Sequence, residues 1–335
     1  MKAVRVMQPA GLDNLRLVEM DKPSPGRGEI LVKAAASSLN YHDYVVVVGG
    51  RPAEDGRIPM SDMSGEVVEV GAGVSEFKVG DKVMSMVFPT WLSGEPTDAN
   101  TWGCIAGDTV DGSASEFVCG LETAFTRIPR GYSLEQAATL PCAALTAWRA
   151  LFVEGQLQSG ETVLIQGTGG VSIFALQMVK AAGGIAIVTS SSDEKLEKAR
   201  ALGADRLINY KKNPQWGEAA AKLCERDGVD HVLELGGPGT LDQSIAACRT
   251  RGHISLIGIL TGWKGEVSTA AMMMKQQRMI GITVACREDQ QAMVRGIEST
   301  GIMPVIDRSF ALDEIAEAFR YQESQKHFGK IVLRY

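Results

Sequence analysis

The sequence predicts an α/β fold of two domains, one β-rich and barrel-like and the other built on a doubly wound parallel sheet. The chain has 335 residues, which is enough for two ordinary domains. Its first third holds short, closely spaced strand-like runs, and from about Ser133 short apolar runs alternate with helical stretches. The first pattern is typical of a small barrel, and the second is typical of a parallel sheet covered by helices.

Five short runs with β-branched residues predict the strands of the first domain, and Gly, Pro and Asp residues separate them as turns. These strands are Lys2–Met7, Leu15–Glu19, Glu29–Ala36, Gly65–Val70 and Lys82–Val87. The tail from about Met303 returns to a mixed pattern, with a helix over Leu312–Glu323 and a strand over Lys330–Arg334. We therefore place residues 1–128 and 287–335 together in one domain.

A helix over Ser133–Phe152 leads into six apolar runs that alternate with helices, and residues 129–286 form the second domain. The predicted strands are Thr162–Gln166, Ile185–Thr189, Arg206–Asn209, His231–Leu235, Ile254–Ile259 and Ile280–Val284. We expect the apolar strand Ile254–Ile259 at the edge of the sheet, where a second copy would cover it. The sequence therefore predicts a homodimer.

The composition excludes several classes of protein. Apolar residues make up 45% and charged residues 22% of the chain, as in ordinary globular enzymes. The net charge is −6 and no block of Lys or Arg stands out, so neither nucleic acid nor a membrane surface is an expected partner. The first residues lack the apolar core of a signal peptide. The six cysteines are scattered without a C-x-x-C pair, which favours a reduced, cytoplasmic chain.

A glycine-rich turn between a predicted strand and a predicted helix indicates dinucleotide binding. It reads Gly167-Thr168-Gly169-Gly170-Val171-Ser172 and directly follows the strand Thr162–Gln166. Gly167 permits the tight turn, Gly169 lets the backbone approach a pyrophosphate, and the helix N-terminus offers N–H groups to the phosphates. Ser172 replaces the usual last Gly or Ala and is still small enough for close packing of helix on strand.

The end of the second parallel strand indicates which cofactor is preferred. NAD sites usually carry an acidic residue there that binds the ribose 2′-hydroxyl. Here the stretch at the strand end reads Thr189-Ser190-Ser191-Ser192, and Lys195 follows one helical turn later. Hydroxyl groups and a lysine suit a 2′-phosphate, so the sequence favours NADP(H). Ser191 and Glu194 also fit a helix capping box, and both roles are compatible.

The order of these parts resembles the medium-chain dehydrogenase/reductase superfamily over essentially the whole chain. Similar stretches are Gly65–Gly71, Phe77–Val83, Leu140–Trp148, Leu202–Asp205 and His327–Val332. They look closest to the zinc-lacking, quinone oxidoreductase-like branch, with further similarity to zinc-type alcohol dehydrogenase-like proteins. The resemblance implies a GroES-like β-barrel catalytic domain joined to a Rossmann nucleotide-binding domain.

The residues that bind catalytic zinc in the family's zinc enzymes are mostly replaced here. Asn40 stands where those enzymes have the first cysteine, and Asp62 stands where they have the histidine. Only Cys142 remains, and the structural lobe with four cysteines is missing. An Asn, Asp and Cys set is a poor match to zinc, so we expect no metal site.

The resemblance also implies functional residues by position. Thr146 matches a residue that packs by the nicotinamide, and Lys330 matches a basic residue near the cofactor phosphates. Further cofactor-binding candidates follow sheet strands, where ligands of doubly wound folds lie; they are Tyr210, Gly236, Gly237 and Gly258.

The catalytic candidates are Asn40, Tyr41, His42 and Asp62, the first three in a segment that faces the nicotinamide in the family. His42 occupies the place of the family's proton-relay hydroxyl and is a candidate general acid.

The expected activity is NADPH-dependent reduction of a small carbonyl or quinone substrate without zinc. A quinone or an α,β-unsaturated carbonyl delocalises the charge that forms on its oxygen, and hydrogen-bond donors can stabilise it there. One alternative is an NAD(P)-dependent alcohol dehydrogenase or ketone–aldehyde reductase. An alternative of another class is an NADPH-binding protein without turnover.

Overall fold

A computed structural model describes residues 1–335, and the chain divides into two compact units. Unit 1 comprises Met1–Leu145 and Val284–Tyr335, and unit 2 comprises Thr146–Thr283. The sequence-based boundary placed residues 129–145 in the nucleotide-binding domain, whereas the structure assigns them to unit 1. The reason is local packing, because Ala138 is buried against Ala36 and Val332 of the unit 1 sheet.

Fifteen strands and ten α-helices make up the chain. The strands are β1 (Lys2–Val6), β2 (Leu15–Glu19), β3 (Glu29–Ser38), β4 (Ser64–Val70), β5 (Lys82–Ser85), β6 (Phe117–Leu121), β7 (Phe125–Arg127), β8 (Thr162–Gln166), β9 (Ile185–Ser190), β10 (Arg206–Asn209), β11 (Val229–Glu234), β12 (Cys248–Leu256), β13 (Arg278–Gly281), β14 (Ile306–Ala311) and β15 (Lys330–Arg334). The helices are α1 (Tyr41–Val47), α2 (Leu134–Ala137), α3 (Leu145–Trp148), α4 (Gly170–Ala181), α5 (Asp193–Ala201), α6 (Trp216–Lys222), α7 (Pro238–Ala247), α8 (Thr269–Met274), α9 (Arg287–Thr300) and α10 (Ile315–Glu323). None of these helices is both long enough and apolar enough to cross a membrane.

Unit 1 is built around a mixed sheet in the order β14-β15-β3-β4-β5-β7, with β6 also paired to β3. Strand β3 is central, and its register shifts twice against β4, so that it bends. It ends at Ser38, directly before Asn40 and helix α1. Strand β15, which begins at Lys330, pairs antiparallel with the same end of β3. This pairing brings the C-terminal strand to the segment that holds the catalytic candidates.

Unit 2 has a six-stranded parallel sheet in the order β10-β9-β8-β11-β12-β13. The chain runs outward from β8 to β10, returns to β11, and runs outward again to β13. The reversal lies between β8 and β11, and ligands of such sheets bind at the carboxyl ends of the strands there. Helices α4 to α8 connect the strands, and Leu164, Ile187, Val232 and Ile254 contribute to a buried core.

Two expectations about these elements were wrong. The first half of the apolar run Ile254–Ile259 belongs to β12, which ends at Leu256 and lies between β11 and β13, so the edge strand is β13. An apolar run indicates a strand buried on both faces, and β13 is half-buried to exposed. The predicted helix over Ser133–Phe152 is interrupted, because π-helical turns at Leu140–Ala144 and Arg149–Val153 flank α3.

Candidate active site and cofactor site

Asn40 begins helix α1, and Asp43 in the first turn of that helix fixes the local backbone. The Asn40 N–H donates to Asp43 Oδ2 at 2.9 Å, and the Ser61 N–H donates to Asp43 Oδ1 at 2.9 Å. Burial raises the pKa of Asp43, and the charge of His42 and these hydrogen bonds partly offset this effect. Asp43 therefore braces the segment Asn40–Asp43 against the turn at Ser61.

The ammonium of Lys330 lies between Asn40 and Asp62. It donates to Asn40 Oδ1 at 2.6 Å and to the carbonyl oxygen of Leu39 at 2.8 Å, and it lies 3.5 Å from Asp62 Oδ2. Lys330 is only 3% exposed. A buried ammonium needs oxygen acceptors, and Lys330 finds them inside unit 1. Its expected role near the cofactor phosphates stays a prediction. Since an ammonium only donates, it also fixes Oδ1 of Asn40 as the acceptor and leaves Nδ2 as the donor.

Asp62 carries a fully buried carboxyl group beside this lysine. The Ser38 hydroxyl donates to Asp62 Oδ2 at 2.7 Å, while Oδ1 has no hydrogen-bond partner. Burial raises the pKa of Asp62 to about 6, although the charge of Lys330 acts in the opposite direction and Asp43 adds to the rise. At neutral pH the cluster of Asn40, Asp62 and Lys330 therefore holds one positive and, for the most part, one negative charge. We call these three residues the buried cluster.

Tyr41 and His42 are the accessible members of the candidate set. Tyr41 is 42% exposed on the first turn of α1. His42 Nε2 lies 3.0 Å from Asp108 Oδ2, and Arg51 Nε lies 2.6 Å from the same oxygen. Burial acts to raise the pKa of Asp108, but His42 and Arg51 outweigh it and the pKa is lowered. Asp108 and Arg51 were not predicted as site residues, because the loop that holds Asp108 carries no periodic or motif signal.

No group of three or more His, Cys, Asp or Glu side chains is arranged to hold a metal ion. Cys142, the one retained zinc-ligand position, is half-buried in the π-helical turn Leu140–Ala144. The other two positions belong to the buried cluster, where an ammonium already contacts the oxygen atoms of Asn40 and Asp62. A dication and an ammonium would repel each other there, so these side chains do not fit the zinc site of the family's zinc enzymes.

The glycine-rich turn has the geometry that a dinucleotide requires. Gly167 has φ 72°, and its N–H donates to the carbonyl oxygen of Thr189 at 2.8 Å. A side chain added at Gly169 would meet no atom within 4 Å, so the backbone borders open space. Helix α4 begins at Gly170, and the Ser172 hydroxyl donates to the carbonyl oxygen of Gln166 at 2.7 Å. Thr168 and Val171 lie within this turn and the first turn of α4.

Ser190 ends β9, and Tyr210 lies beside it at the end of β10. The Tyr210 N–H donates to the carbonyl oxygen of Ser190 at 3.1 Å. The cap of helix α5 is Ser192 rather than Ser191, because the Ser192 hydroxyl accepts from the Lys195 N–H at 3.4 Å. The predicted capping box of Ser191 and Glu194 was therefore wrong: only the cap hydrogen bond of Ser192 forms, because the third helical residue is Lys195 rather than Glu or Gln. Ser191 is half-buried next to the cap.

The acidic side chains that follow this strand are already paired. Asp193 accepts from Asn209 Nδ2 at 2.7 Å and from the Lys212 ammonium. These hydrogen bonds lower the pKa of Asp193. Glu194 pairs with Lys198 at 2.8 Å. Neither carboxylate occupies the end of β9, where an acidic residue would select NAD.

The remaining cofactor candidates lie in unit 2. Gly237 has φ 88° and precedes helix α7, and a side chain at Gly236 would collide with Thr240. A side chain at Gly258 would come within 2.0 Å of the Leu235 carbonyl oxygen, so close packing of two chain segments requires this glycine. Thr146 is buried in helix α3.

Two family models match the chain. The alcohol dehydrogenase GroES-like domain matches residues 26–130, and the zinc-binding dehydrogenase model matches residues 170–299. A zinc-type alcohol dehydrogenase-like protein of Schizosaccharomyces pombe is 42% identical over 97% of this chain and 96% of its own length. The chain belongs to the medium-chain dehydrogenase/reductase superfamily. It is an NAD(P)H-dependent oxidoreductase with a GroES-like domain and a Rossmann-like parallel sheet.

More distant relatives have different activities. The acryloyl-coenzyme A reductase of Metallosphaera sedula is 27% identical over 94% of this chain and 95% of its own length. The quinone oxidoreductase of Rattus norvegicus is 27% identical over 99% of this chain and 97% of its own length. Members of this superfamily therefore act on several kinds of acceptor.

The similar solved structures agree in fold and differ in cofactor. A Sinorhizobium meliloti structure provisionally assigned as an alcohol dehydrogenase has a TM-score of 0.93 at 38% identity, covering 100% of this chain and 98% of its own. An NAD-dependent alcohol dehydrogenase has a TM-score of 0.91 at 30% identity, covering 100% of both chains. A crotonyl-CoA carboxylase/reductase in complex with NADP has a TM-score of 0.89 at 27% identity, covering 100% of this chain and 94% of its own. The superfamily thus binds either nicotinamide cofactor.

Proposed function

We propose that this enzyme uses NADPH to reduce a conjugated acceptor, either a quinone or an α,β-unsaturated carbonyl compound, without catalytic zinc. The observation that carries the proposal is the buried cluster, in which Lys330 holds Asn40 and Asp62 together. The nicotinamide supplies the hydride when it is bound. The chain must add a hydrogen-bond donor to the substrate oxygen on which negative charge develops. Asn40 Nδ2 is suited to this role because its present contacts are long. They run to Ser61 Oγ at 3.3 Å and to the Ser38 carbonyl oxygen at 3.5 Å.

His42 is proposed as the general acid, with Asp108 and Arg51 as its supporting residues. Asp108 accepts from Nε2, so the nitrogen left to deliver a proton is Nδ1, which has no partner. Nδ1 is buried, so it can give a proton to the substrate only if the His42 ring rotates or the substrate enters the space beside it. The Tyr41 hydroxyl is a further donor on the same helical turn.

The preference for NADPH is supported by the end of β9. Ser190, Ser191 and Lys195 offer hydroxyl and ammonium donors, and the nearest carboxylate, Asp193, is neutralised by Lys212. The Lys195→Ala variant should bind NADPH about 10- to 100-fold more weakly, as for one charge-assisted contact, and should bind NADH as the parent does. Equal affinity of the parent protein for NADPH and NADH would contradict this preference.

The test of the activity is NADPH oxidation over a panel of acceptors. The panel comprises quinones, enones, enoyl thioesters, simple aldehydes and ketones, with alcohols and NADP⁺ for the reverse reaction. Quinones or conjugated carbonyls should be turned over fastest, and added chelator should not abolish the rate. The rival candidate is an alcohol dehydrogenase, which the alcohol dehydrogenase-like relatives favour. Fast alcohol oxidation with one tightly held zinc per chain would favour that candidate, and binding without turnover of any acceptor would favour a non-enzymatic role.

We also propose a cytoplasmic homodimer. None of the six cysteines forms a disulfide, which is compatible with a reduced compartment. Strand β13 is the edge of the unit 2 sheet, and the segment between β12 and β13 exposes Trp263, Met273 and Met274. An unpaired edge beside exposed apolar side chains is typical of a surface that pairs with a second copy.

A further inference from the structure

Glu234 is a fully buried acidic residue in unit 2 that lies at the end of β11. Its carboxylate accepts five hydrogen bonds. Oε1 accepts from the N–H groups of Gly236 at 2.8 Å and Gly237 at 2.9 Å and from Thr240 Oγ1 at 2.6 Å. Oε2 accepts from the Ser244 hydroxyl and from Gln166 Nε2 at 2.7 Å. A buried charge is tolerated only when donors surround it in this way.

Gln166 is the partner of Glu234 on the neighbouring strand, β8. Besides its bond to Glu234, its amide donates to Ser244 Oγ at 2.8 Å. Its Oε1 accepts from the N–H groups of Leu235 and Gly236, each at 3.0 Å. Gln166 directly precedes Gly167, and its carbonyl oxygen accepts from Ser172. One side-chain pair therefore joins the glycine-rich turn after β8 to the Gly236–Gly237 turn after β11.

We propose that Glu234 and Gln166 are positioning residues for the cofactor, because they set the two glycine turns that border it at the reversal of the sheet. The proposal rests on the proposed NADPH site. The negative charge is essential, since the N–H groups of Gly236 and Gly237 and the Thr240 hydroxyl all point at Oε1. An uncharged amide in place of the carboxylate would set its own NH₂ group against the NH₂ group of Gln166. The mismatch would loosen both turns.

The decisive experiment exchanges the two side chains. Glu234→Gln alone should raise the Kd for NADPH about 10-fold or more, measured by fluorescence titration, as for loss of hydrogen bonds to a charged group. Adding Gln166→Glu restores one carboxylate and one amide with every donor matched, and it should return the Kd to within about 3-fold of the parent. Glu218→Gln, at an exposed position of α6, is the matched control and should leave the Kd unchanged.

Two further readouts separate positioning from a general loss of stability. Adenosine 2′-monophosphate, which lacks the pyrophosphate, should bind Glu234→Gln as it binds the parent. With saturating NADPH, the variant should keep most of the parental kcat while its KM for NADPH rises. If Glu234→Gln does not fold, Thr240→Val removes a single donor and should still raise the Kd several-fold.

The outcomes are distinguishable. A folded Glu234→Gln variant with parental NADPH affinity would overturn the inference, and so would an exchanged double variant that folds but is not rescued. If Glu234→Gln is unfolded, an unchanged Kd in Thr240→Val would overturn it. A parent protein that does not bind NADPH would instead contradict the proposed function.

Discussion

The Asp62→Asn variant should become more stable relative to the parent protein as the pH rises. Burial raises the pKa of this carboxyl group from 3.8 to about 6, and at about 1.4 kcal/mol per pH unit the difference amounts to about 3 kcal/mol. Because the folded protein binds this proton more tightly than the unfolded chain does, the contribution of Asp62 to stability is complete below about pH 4. It is lost as the pH rises through about 6.

The assay compares urea unfolding of the parent and of Asp62→Asn from about pH 4 to about pH 8. Effects of the substitution that do not depend on pH cancel in this comparison. The difference in unfolding free energy between variant and parent should therefore shift by about 3 kcal/mol in favour of the variant. Lys330→Met is the companion variant, because loss of the ammonium should raise the pKa of Asp62 further and move the transition to higher pH. A difference that stays constant with pH would refute the reasoning.

Four other substitutions test the remaining assignments. Asn40→Asp keeps a hydrogen-bond acceptor for Lys330 but loses the amide donor, so kcat on the best substrate should fall about 100-fold with unchanged NADPH affinity. Gly169→Val should abolish NADPH binding in titrations. Burial lowers the pKa of His253 from 6.5 to about 4, so its contribution to stability is present above about pH 6.5 and is lost as the pH falls through about 4. In His253→Gln, the loss of unfolding free energy at acid pH should be about 3 kcal/mol smaller than in the parent, as measured by denaturant unfolding at several pH values. Ile280→Lys on β13 should yield monomers by light scattering, with parental NADPH affinity.

The sequence predicts the elements of this fold well where the pattern is local. The strands β8 and β10 have the expected limits, since apolar runs between Gly and helical segments leave little freedom. Helix α1 was not expected, because its Val45, Val46 and Val47 have strand propensity. Its capping by Asn40 and Asp43 and its burial outweigh that preference.

The sequence identified several residues of the candidate site, but it did not predict which of them contact one another. Asn40 and Asp62 stand out because they replace zinc ligands of a recognisable family. The position of Lys330 was not accessible, since it pairs with Asn40 across 290 residues of sequence. The same holds for Asp108 and its contact to His42. The contact of Lys330 arises from the pairing of β15 with β3, and the contact of Asp108 comes from a loop distant in sequence, so no local pattern encodes either of them.

The charge of the buried cluster bears on the choice of substrate. Zinc brings two positive charges to a carbonyl oxygen, whereas Lys330 brings one and lies 3.5 Å from the Asp62 carboxylate. Since the pKa of Asp62 is about 6, this carboxyl is mostly ionised at neutral pH and largely cancels the lysine charge. A localised alkoxide would therefore gain little stabilisation, while an enolate or a hydroquinone anion spreads its charge and needs only a hydrogen-bond donor such as Asn40. This near-cancellation of charge is one reason for our proposal that conjugated acceptors, rather than simple alcohols, are the substrates.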